Sequence, residues 1–234
     1  RYRYVTGVQT CALPIWHCVD ATFTLLVAAR DAGVKRFVYA ASSSAYGDTP
    51  TLPKVEAIRP DPLSPYAVGK LVGEYYCSVF AKVYGLETIA LRYFNVFGPQ
   101  QDPASQYAAA IPAFVTAILK DQPPTIYGDG EQSRDFTYID NIVHANLLAA
   151  RVKKTAGEVV NVACGEAVTV NAIIDMINRL LGKNVKPIYA PARAGDVKHS
   201  LADITAARKL IGFEPVVLFR EGLEKSIDWY RNNL

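Results

Sequence analysis

Two groups of residues in this sequence have side chains that could carry out acid–base chemistry on a hydroxyl-bearing substrate. The stretch SSSAYG, which begins at Ser42, places three hydroxyls directly after the apolar run FVYAA. Further along, Tyr66 and Lys70 are four residues apart near the start of a helical pattern. This spacing puts both side chains on one helix face, and a nearby ammonium favours the phenolate form of a tyrosine. A base of this kind could take a proton from a hydroxyl near neutral pH.

The pattern around these residues predicts the elements that position them. An apolar run predicts a buried strand over residues 35–42, and an amphipathic stretch that begins at Ser64 and Pro65 predicts a helix that ends at Gly85. Strand and helix patterns alternate over most of the chain, which predicts an α/β fold with a doubly wound parallel sheet. Ligands of such sheets bind at the carboxyl ends of the strands, where Ser42 would lie.

Composition excludes several classes of function. The formal net charge is only +3, and the basic residues are scattered, so no nucleic-acid or anionic membrane surface is predicted. The cysteines form no CxxC pair, and the histidines are far apart, so neither a metal site nor a disulfide framework is predicted. No apolar run has the length of a membrane span. We therefore expect a soluble cytoplasmic protein with reduced cysteines.

Several motifs agree in order and spacing with a known family. The strand-end serine is followed by SPYAVGK (residues 64–70) and by RYFNVFGP (residues 92–99). From about Val19 to the C-terminus the chain resembles the extended short-chain dehydrogenase/reductase family of nucleotide-sugar epimerases and dehydratases. It is most similar to the bacterial UDP-N-acetylglucosamine 4-epimerases of that family. The resemblance implies a Rossmann-type sheet with a small α+β substrate lobe, NAD as cofactor, and hydride transfer at C4 of a UDP-hexose.

The resemblance also implies roles for individual residues around the cofactor. Ser42 matches the residue that hydrogen-bonds the reacting hydroxyl, and Tyr66 matches the catalytic base. Lys70 matches the lysine that holds the cofactor ribose and lowers the pKa of the tyrosine. Tyr93 and Phe94 match residues that line the nicotinamide pocket.

A further set of residues matches the family's nucleotide-sugar contacts. Asn95, Arg134 and Arg193 match residues that bind the diphosphate, and Asp196 matches a contact to the uridine ribose. Guanidinium and carboxylate groups suit these partners, because the first binds phosphate oxygens in a fork and the second accepts from ribose hydroxyls. The matches to the sugar pocket are Ser43, Ser44, Gln101, Ala109 and Ser200.

Two of these positions bear on the reaction and on the sugar. Relatives that dehydrate the sugar resemble T-D-E where this chain has Ser42, Ser43 and Ser44, and a serine is not a credible acid or base at neutral pH. Epimerisation at C4 is therefore favoured over dehydration. Relatives restricted to plain hexoses resemble a tyrosine at the position of Ser200. Since a serine leaves volume for an N-acetyl group, the expected substrates are UDP-N-acetylglucosamine and UDP-N-acetylgalactosamine.

Other assignments stay open at this point. Within the family they are a UDP-glucose 4-epimerase and a UDP-glucuronate decarboxylase. Outside enzymes, the chain could be a non-catalytic fragment that binds UDP-sugars. The resemblance also implies a homodimer of the full-length protein through helices at 65–84 and 108–120.

The first residues do not fit the family. Residues 5–15 (VTGVQTCALPI) match the codon-by-codon translation of a common sequencing adapter, so residues 1–15 are interpreted as an artefact. The family's glycine-rich turn for the cofactor diphosphate is not found in the sequence, and Cys18 replaces an asparagine of relatives. We expect residues 16–100 and 139–164 to be the remainder of a Rossmann domain, and 101–138 with 165–234 to form the nucleotide-sugar lobe. The chain as given is predicted to be inactive and not to retain NAD.

Overall fold

The computed structural model describes residues 15–102, 110–192 and 197–233. The strands are β1 (Arg36–Ser42), β2 (Glu87–Tyr93), β3 (Val96–Phe97), β4 (Thr125–Tyr127), β5 (Ser133–Asp135), β6 (Thr137–Tyr138), β7 (Glu158–Val162), β8 (Ala167–Thr169) and β9 (Ile188–Ala190). The α-helices are α1 (Ala21–Asp31), α2 (Pro65–Tyr84), α3 (Ala110–Leu119), α4 (Ile139–Arg151), α5 (Val170–Leu181), α6 (Thr205–Ile211) and α7 (Phe219–Asn233). A π-helical turn (Ile15–Asp20) precedes α1, and a 3-10 turn (Ser43–Tyr46) follows β1.

Helix α2, which carries Tyr66 and Lys70, begins and ends at the residues that the sequence predicts. The Ser64 hydroxyl accepts a hydrogen bond from the Ala67 N–H at 3.2 Å, and Pro65 occupies the first turn, where its missing N–H costs nothing. The helix ends at Gly85, whose φ of 70° is in the left-handed region that glycine adopts readily. Tyr66 is thereby fixed in the first turn of the helix.

The central sheet confirms the predicted fold class for the strands that the structure describes. Three parallel strands lie in the order β1-β2-β7, with Ser42 opposite Tyr93 and Tyr93 opposite Val162. Alternate side chains of each strand point to opposite faces. One face packs against α1 and α2, and the other against α4 and α6. Helices on both faces of a parallel sheet make the doubly wound arrangement.

A second hydrophobic core lies between the helices of the later part of the chain. Buried side chains of α3, α5 and α7 pack together there with Phe97 and Tyr138. The small sheets β4-β9 and β5-β8 lie beside this core. The stretch 133–138 forms two short strands, because β5 pairs antiparallel with β8 while β6 pairs parallel with β3. Among the described residues, no helix is long and apolar enough to cross a membrane.

Candidate active site

A cavity of about 510 Å³ opens at the carboxyl ends of β1 and β2. Of the predicted site residues, it brings together Ser42, Ser43, Ser44, Tyr66, Lys70, Tyr93, Phe94, Asn95, Arg134 and Ser200. We call Ser42, Tyr66, Lys70 and Tyr93 the sheet wall. We call Lys54, Arg134 and Ser200 the lobe wall.

Ser42 connects β1 to the loop that follows it. It is the last residue of β1, and its hydroxyl accepts a hydrogen bond from the Ser44 N–H at 3.2 Å, which begins the 3-10 turn. The Ser44 hydroxyl also donates to the Ser42 hydroxyl at 2.8 Å. The strand end and the turn therefore hold the Ser42 hydroxyl at the carboxyl end of β1.

Tyr66 and Lys70 lie beside Ser42 on one face of α2. The Lys70 ammonium is 5.8 Å from the centre of the Tyr66 ring and donates to the Ala40 carbonyl at 2.8 Å. Burial raises the pKa of Tyr66, and the hydrogen bond with Ser42 opposes this. The resemblance implies that Lys70 lowers this pKa, and this stays a prediction. Burial is the largest influence on the phenol in the structure, and the Lys70 ammonium also bonds the main chain of β1.

Tyr93, Phe94 and Asn95 follow one another at the end of β2 but have different environments. The Tyr93 hydroxyl is held by Asn146, whose Nδ2 donates to it at 2.8 Å. Phe94 is fully buried, and its ring packs near the ring of Tyr46 inside the core. Asn95 has a φ of 30°, a left-handed value that asparagine tolerates better than most residues.

Asn95 joins the end of the sheet to the lobe wall. Its Nδ2 donates to the Asp135 carbonyl at 3.0 Å and to the Ser200 hydroxyl at 3.2 Å. The Ser200 side chain is thereby turned toward the end of β2. Arg134 is anchored by its Nη1, which donates to the carbonyls of Ser133 and Lys198 at 3.0 and 2.9 Å.

The fully buried carboxylate of Asp135 binds two separate segments of the chain behind the lobe wall. It accepts backbone N–H bonds from Cys164 and Gly165 at 3.0 Å each, and from Ala202 at 3.1 Å. Burial raises the pKa of Asp135 to about 6, although these backbone hydrogen bonds favour the ionised form. Asp135 thus fixes the chain next to Ser200.

Of the four remaining predicted site residues, the structure describes only Gln101. Gln101 is not among the lining residues of the cavity, because its side chain turns back to the main chain, with Nε2 at 3.5 Å from the Val96 carbonyl. Ala109, Arg193 and Asp196 lie outside the described residues.

Sequence reasoning missed Lys54 and Tyr46, which also line the cavity. Lys54 is 1% exposed and lies in the long loop between the 3-10 turn and α2. Its N–H bonds the Leu201 carbonyl at 2.7 Å, so a contact across the fold brings it to the site. The buried Tyr46 ring lies under the same loop, with its hydroxyl bonded to Asn161. No local pattern in the sequence marks either residue as part of a site.

The cavity fits one end of a dinucleotide cofactor. Tyr66, Lys70 and Tyr93 place a phenol, an ammonium and an aromatic edge along the sheet wall, which suits a nicotinamide and its ribose. The described residues contain no glycine-rich turn that could hold the diphosphate. The fit is therefore to the nicotinamide end of the cofactor.

Comparisons with known proteins agree with this geometry. A profile of the NAD dependent epimerase/dehydratase family matches residues 10–163. The UDP-glucuronate 4-epimerase of Thermodesulfobacterium geofontis is 37% identical over 235 residues, which cover 97% of this chain and 70% of that protein.

Two solved structures are similar over nearly the whole chain. The UDP-N-acetylglucosamine 4-epimerase of Methanobrevibacter ruminantium, in complex with UDP-N-acetylmuramic acid, has a TM-score of 0.92 and 39% identity, with 100% of this chain and 76% of that chain covered. The UDP-glucose 4-epimerase of Thermotoga maritima, with UDP-glucose, has a TM-score of 0.90 and 34% identity, with 99% and 76% covered. These three proteins are named for three different sugars, so likeness alone does not select one. The chain belongs to the NAD-dependent epimerase/dehydratase family, and within it to the nucleotide-sugar epimerases.

Proposed function

We propose that this chain belongs to an NAD-dependent 4-epimerase that interconverts UDP-N-acetylglucosamine and UDP-N-acetylgalactosamine. The observation that carries this proposal is the joint lining of one cavity by Ser42, Tyr66 and Ser200. The first two can handle the proton of a sugar hydroxyl. The third is a small side chain where a bulky one would fill the space beside the sugar.

The proton chemistry falls to the sheet wall. Ser42 hydrogen-bonds the C4 hydroxyl, and Tyr66 as phenolate takes its proton while the C4–H bond gives up a hydride, which leaves a ketone at C4. NAD, when bound, supplies the reversible acceptor for that hydride. Lys70 lies close enough to stabilise the phenolate, which the raised pKa of Tyr66 makes necessary. When the hydride returns to the other face of C4, Tyr66 gives the proton back.

The lining of the cavity favours epimerisation over dehydration. Expulsion of water from the sugar needs an acid and a base besides Tyr66. No described residue that lines the cavity is an aspartate or a glutamate, and the loop after β1 offers only the hydroxyls of Ser43 and Ser44. These hydroxyls can hydrogen-bond a sugar in more than one orientation, as an epimerase requires. In this proposal Asn95 and Arg134 bind the diphosphate.

The test of the sugar assignment is to fill the space beside Ser200. We expect Ser200→Tyr to weaken binding of UDP-N-acetylglucosamine by about tenfold or more, because overpacking costs about 1–3 kcal/mol. Binding of UDP-glucose should change little. Titration calorimetry on the 234-residue chain measures both affinities. Ser200→Ala is the matched control, since it also removes the hydroxyl that Asn95 binds but adds no bulk.

Two results would contradict the proposal. One is a wild-type chain that binds UDP-glucose but not UDP-N-acetylglucosamine. The other is an equal loss of both ligands in Ser200→Tyr, which would mean that the position does not select the substituent on the sugar.

A further inference from the structure

Lys54 is a buried cation on the lobe wall that the reaction described above does not use. The backbone of this residue is tied down on both sides, because its carbonyl also accepts from the Asp203 N–H and the Asn161 Nδ2 at 2.9 Å each. The side chain then reaches to Thr49, whose carbonyl and hydroxyl both accept from Nζ, the hydroxyl at 2.6 Å. The ammonium is therefore held in one place.

The charge of Lys54 has no ionic partner among the residues that the structure describes. None of their carboxylates lies within ion-pair distance of its Nζ. Thr49 provides two neutral acceptors, and an ammonium has three N–H donors. Burial lowers the pKa of Lys54, which the more distant charge of Asp48 opposes. A buried ammonium is stabilised best by an opposite charge in direct contact, and the described part of the chain does not provide one to Lys54.

The cavity as a whole has more positive charge than the proposed reaction needs. Its described lining includes Lys54, Lys70 and Arg134 and no carboxylate. In the proposed reaction the charge of Lys70 is opposite the phenolate of Tyr66, and the charge of Arg134 is opposite the diphosphate. Lys54 remains, on the same wall as Ser200, next to the expected position of the sugar. A substrate with a third anionic group, on the sugar itself, would match this excess.

We propose that the Lys54 ammonium binds a carboxylate on the hexose, so that the site takes a UDP-linked N-acetylhexosaminuronate more tightly than the neutral N-acetylhexosamine. This inference rests on the proposed function, from which it takes the place of the sugar and of the N-acetyl group. It makes Lys54 a specificity residue: the ammonium selects among sugars and takes no part in proton transfer.

The experiment compares two ligands and several variants in calorimetric titrations of the 234-residue chain. The ligands are UDP-N-acetylglucosamine and UDP-N-acetylglucosaminuronate, which differ only in a hydroxymethyl or a carboxylate at C6, with UDP as reference. We expect the wild type to bind the uronate about tenfold more tightly, since the ammonium forms a charge-assisted hydrogen bond with a carboxylate and only a weaker one with a hydroxymethyl group. Lys54→Met should abolish that difference and leave the neutral sugar within about threefold. Lys54→Arg should keep a preference, and the exposed Lys153→Met should behave as wild type.

The outcomes separate this inference from the proposed function. Equal affinity of the wild type for both sugars would overturn the role of Lys54 and leave the epimerase proposal intact. An equal loss of both sugars and of UDP in Lys54→Met would overturn it as well, because it would place the ammonium at the diphosphate. A wild type that binds neither sugar would refute the proposed function and the inference with it. If Lys54→Met does not fold, the wild-type ratio and Lys54→Arg still decide.

Discussion

The sheet wall and the lobe wall of the cavity are assembled by different means. Ser42, Tyr66 and Lys70 come from a strand end and from the start of the next α-helix. Hydrogen bonds between near neighbours in sequence fix both of these termini. Lys54, Arg134 and Ser200 come from loops and a short strand, and contacts between distant parts of the chain hold them. The Asn95–Ser200 hydrogen bond, for example, joins residues 105 positions apart. The sheet wall, which we assign to proton transfer, is thus positioned mainly by local structure. The lobe wall, which we assign to substrate recognition, is positioned by tertiary contacts.

The largest effect is expected on the sheet wall, at the proposed base. Tyr66→Phe removes the group that takes and returns the proton and leaves the ring in place. Turnover of UDP-N-acetylglucosamine, assayed with NAD in a protein that also carries a glycine-rich diphosphate-binding segment, should fall by about 10²–10⁴-fold, the usual contribution of a positioned acid or base. Binding of the same ligand should change little, because the lobe wall is untouched. Chromatography of the nucleotide sugars measures the rate, and calorimetry measures the affinity.

Tyr75→Phe is the matched control for this variant, since it makes the same change at an exposed position of the same helix. Full turnover in Tyr66→Phe would remove the phenol from the mechanism. A loss of binding equal to the loss of rate would also break the comparison, because the sheet wall would then recognise the sugar as much as it transforms it.

The elements of the sheet wall could be predicted from the sequence, and the contacts that hold the lobe wall could not. The strand before Ser42 and the helix that carries Tyr66 are marked by an apolar run, a serine with a proline at the helix start, and a glycine at its end. Those signals act over a few residues, and the structure places both elements as predicted. The assembly of Asp135 with Cys164 and Ala202 depends on bonds across 29 and 67 positions of the chain, and no periodicity encodes such pairs. Lys54 was missed for the same reason.

The expected lowering of the Tyr66 pKa by Lys70 could not be judged from sequence spacing. A separation of four residues fixes the helix face but not the partner that the lysine selects. In the structure the ammonium donates to the Ala40 carbonyl, and the partial burial of the phenol decides the direction of the shift.

A second prediction concerns the buried ion pair that joins β2 to α2 behind the sheet wall. Arg92 of β2 and Glu74 of α2 form a buried ion pair, with atoms 2.9 and 2.7 Å apart, and their side chains are only 4% and 3% exposed. The Arg92 guanidinium also lies 4.6 Å from the centre of the Tyr46 ring, under the loop after Ser42. Arg92→Met leaves the Glu74 charge buried and unpaired, which should lower the free energy of unfolding by about 3–5 kcal/mol.

Chemical denaturation of the purified chain checks this value. The control is Arg30→Met, which breaks an exposed pair with Asp31 and should lower the free energy of unfolding far less, because solvent screens that pair. The double variant Arg92→Met with Glu74→Leu removes both charges and should recover most of the loss. If Arg92→Met were as stable as the wild type, the pair would not support the sheet wall.

A third prediction applies to the foundation of the lobe wall and depends on pH. The pKa of Asp135 is raised from its ordinary value of 3.8 to about 6, so the folded chain binds a proton that the unfolded chain has lost between those values. The stabilisation that Asp135 gives is therefore complete below about pH 3.8 and declines as the pH rises through about 6. The difference amounts to about 3 kcal/mol, since one pKa unit corresponds to about 1.36 kcal/mol.

Asp135→Asn removes this titration, so the stability of the wild type relative to the variant should decrease between pH 4 and pH 7. The variant should be less stable overall, because an amide nitrogen cannot accept from the N–H groups of Cys164, Gly165 and Ala202. The nearby Cys164 thiol has a pKa raised to about 12 by burial and stays neutral across this range. Denaturation curves at several pH values give the difference, with the exposed Asp175→Asn as control. An increase in relative stability toward pH 7 would mean that the three backbone donors outweigh burial, and that the lobe wall, like the phenolate proposed for the sheet wall, is built around an anion.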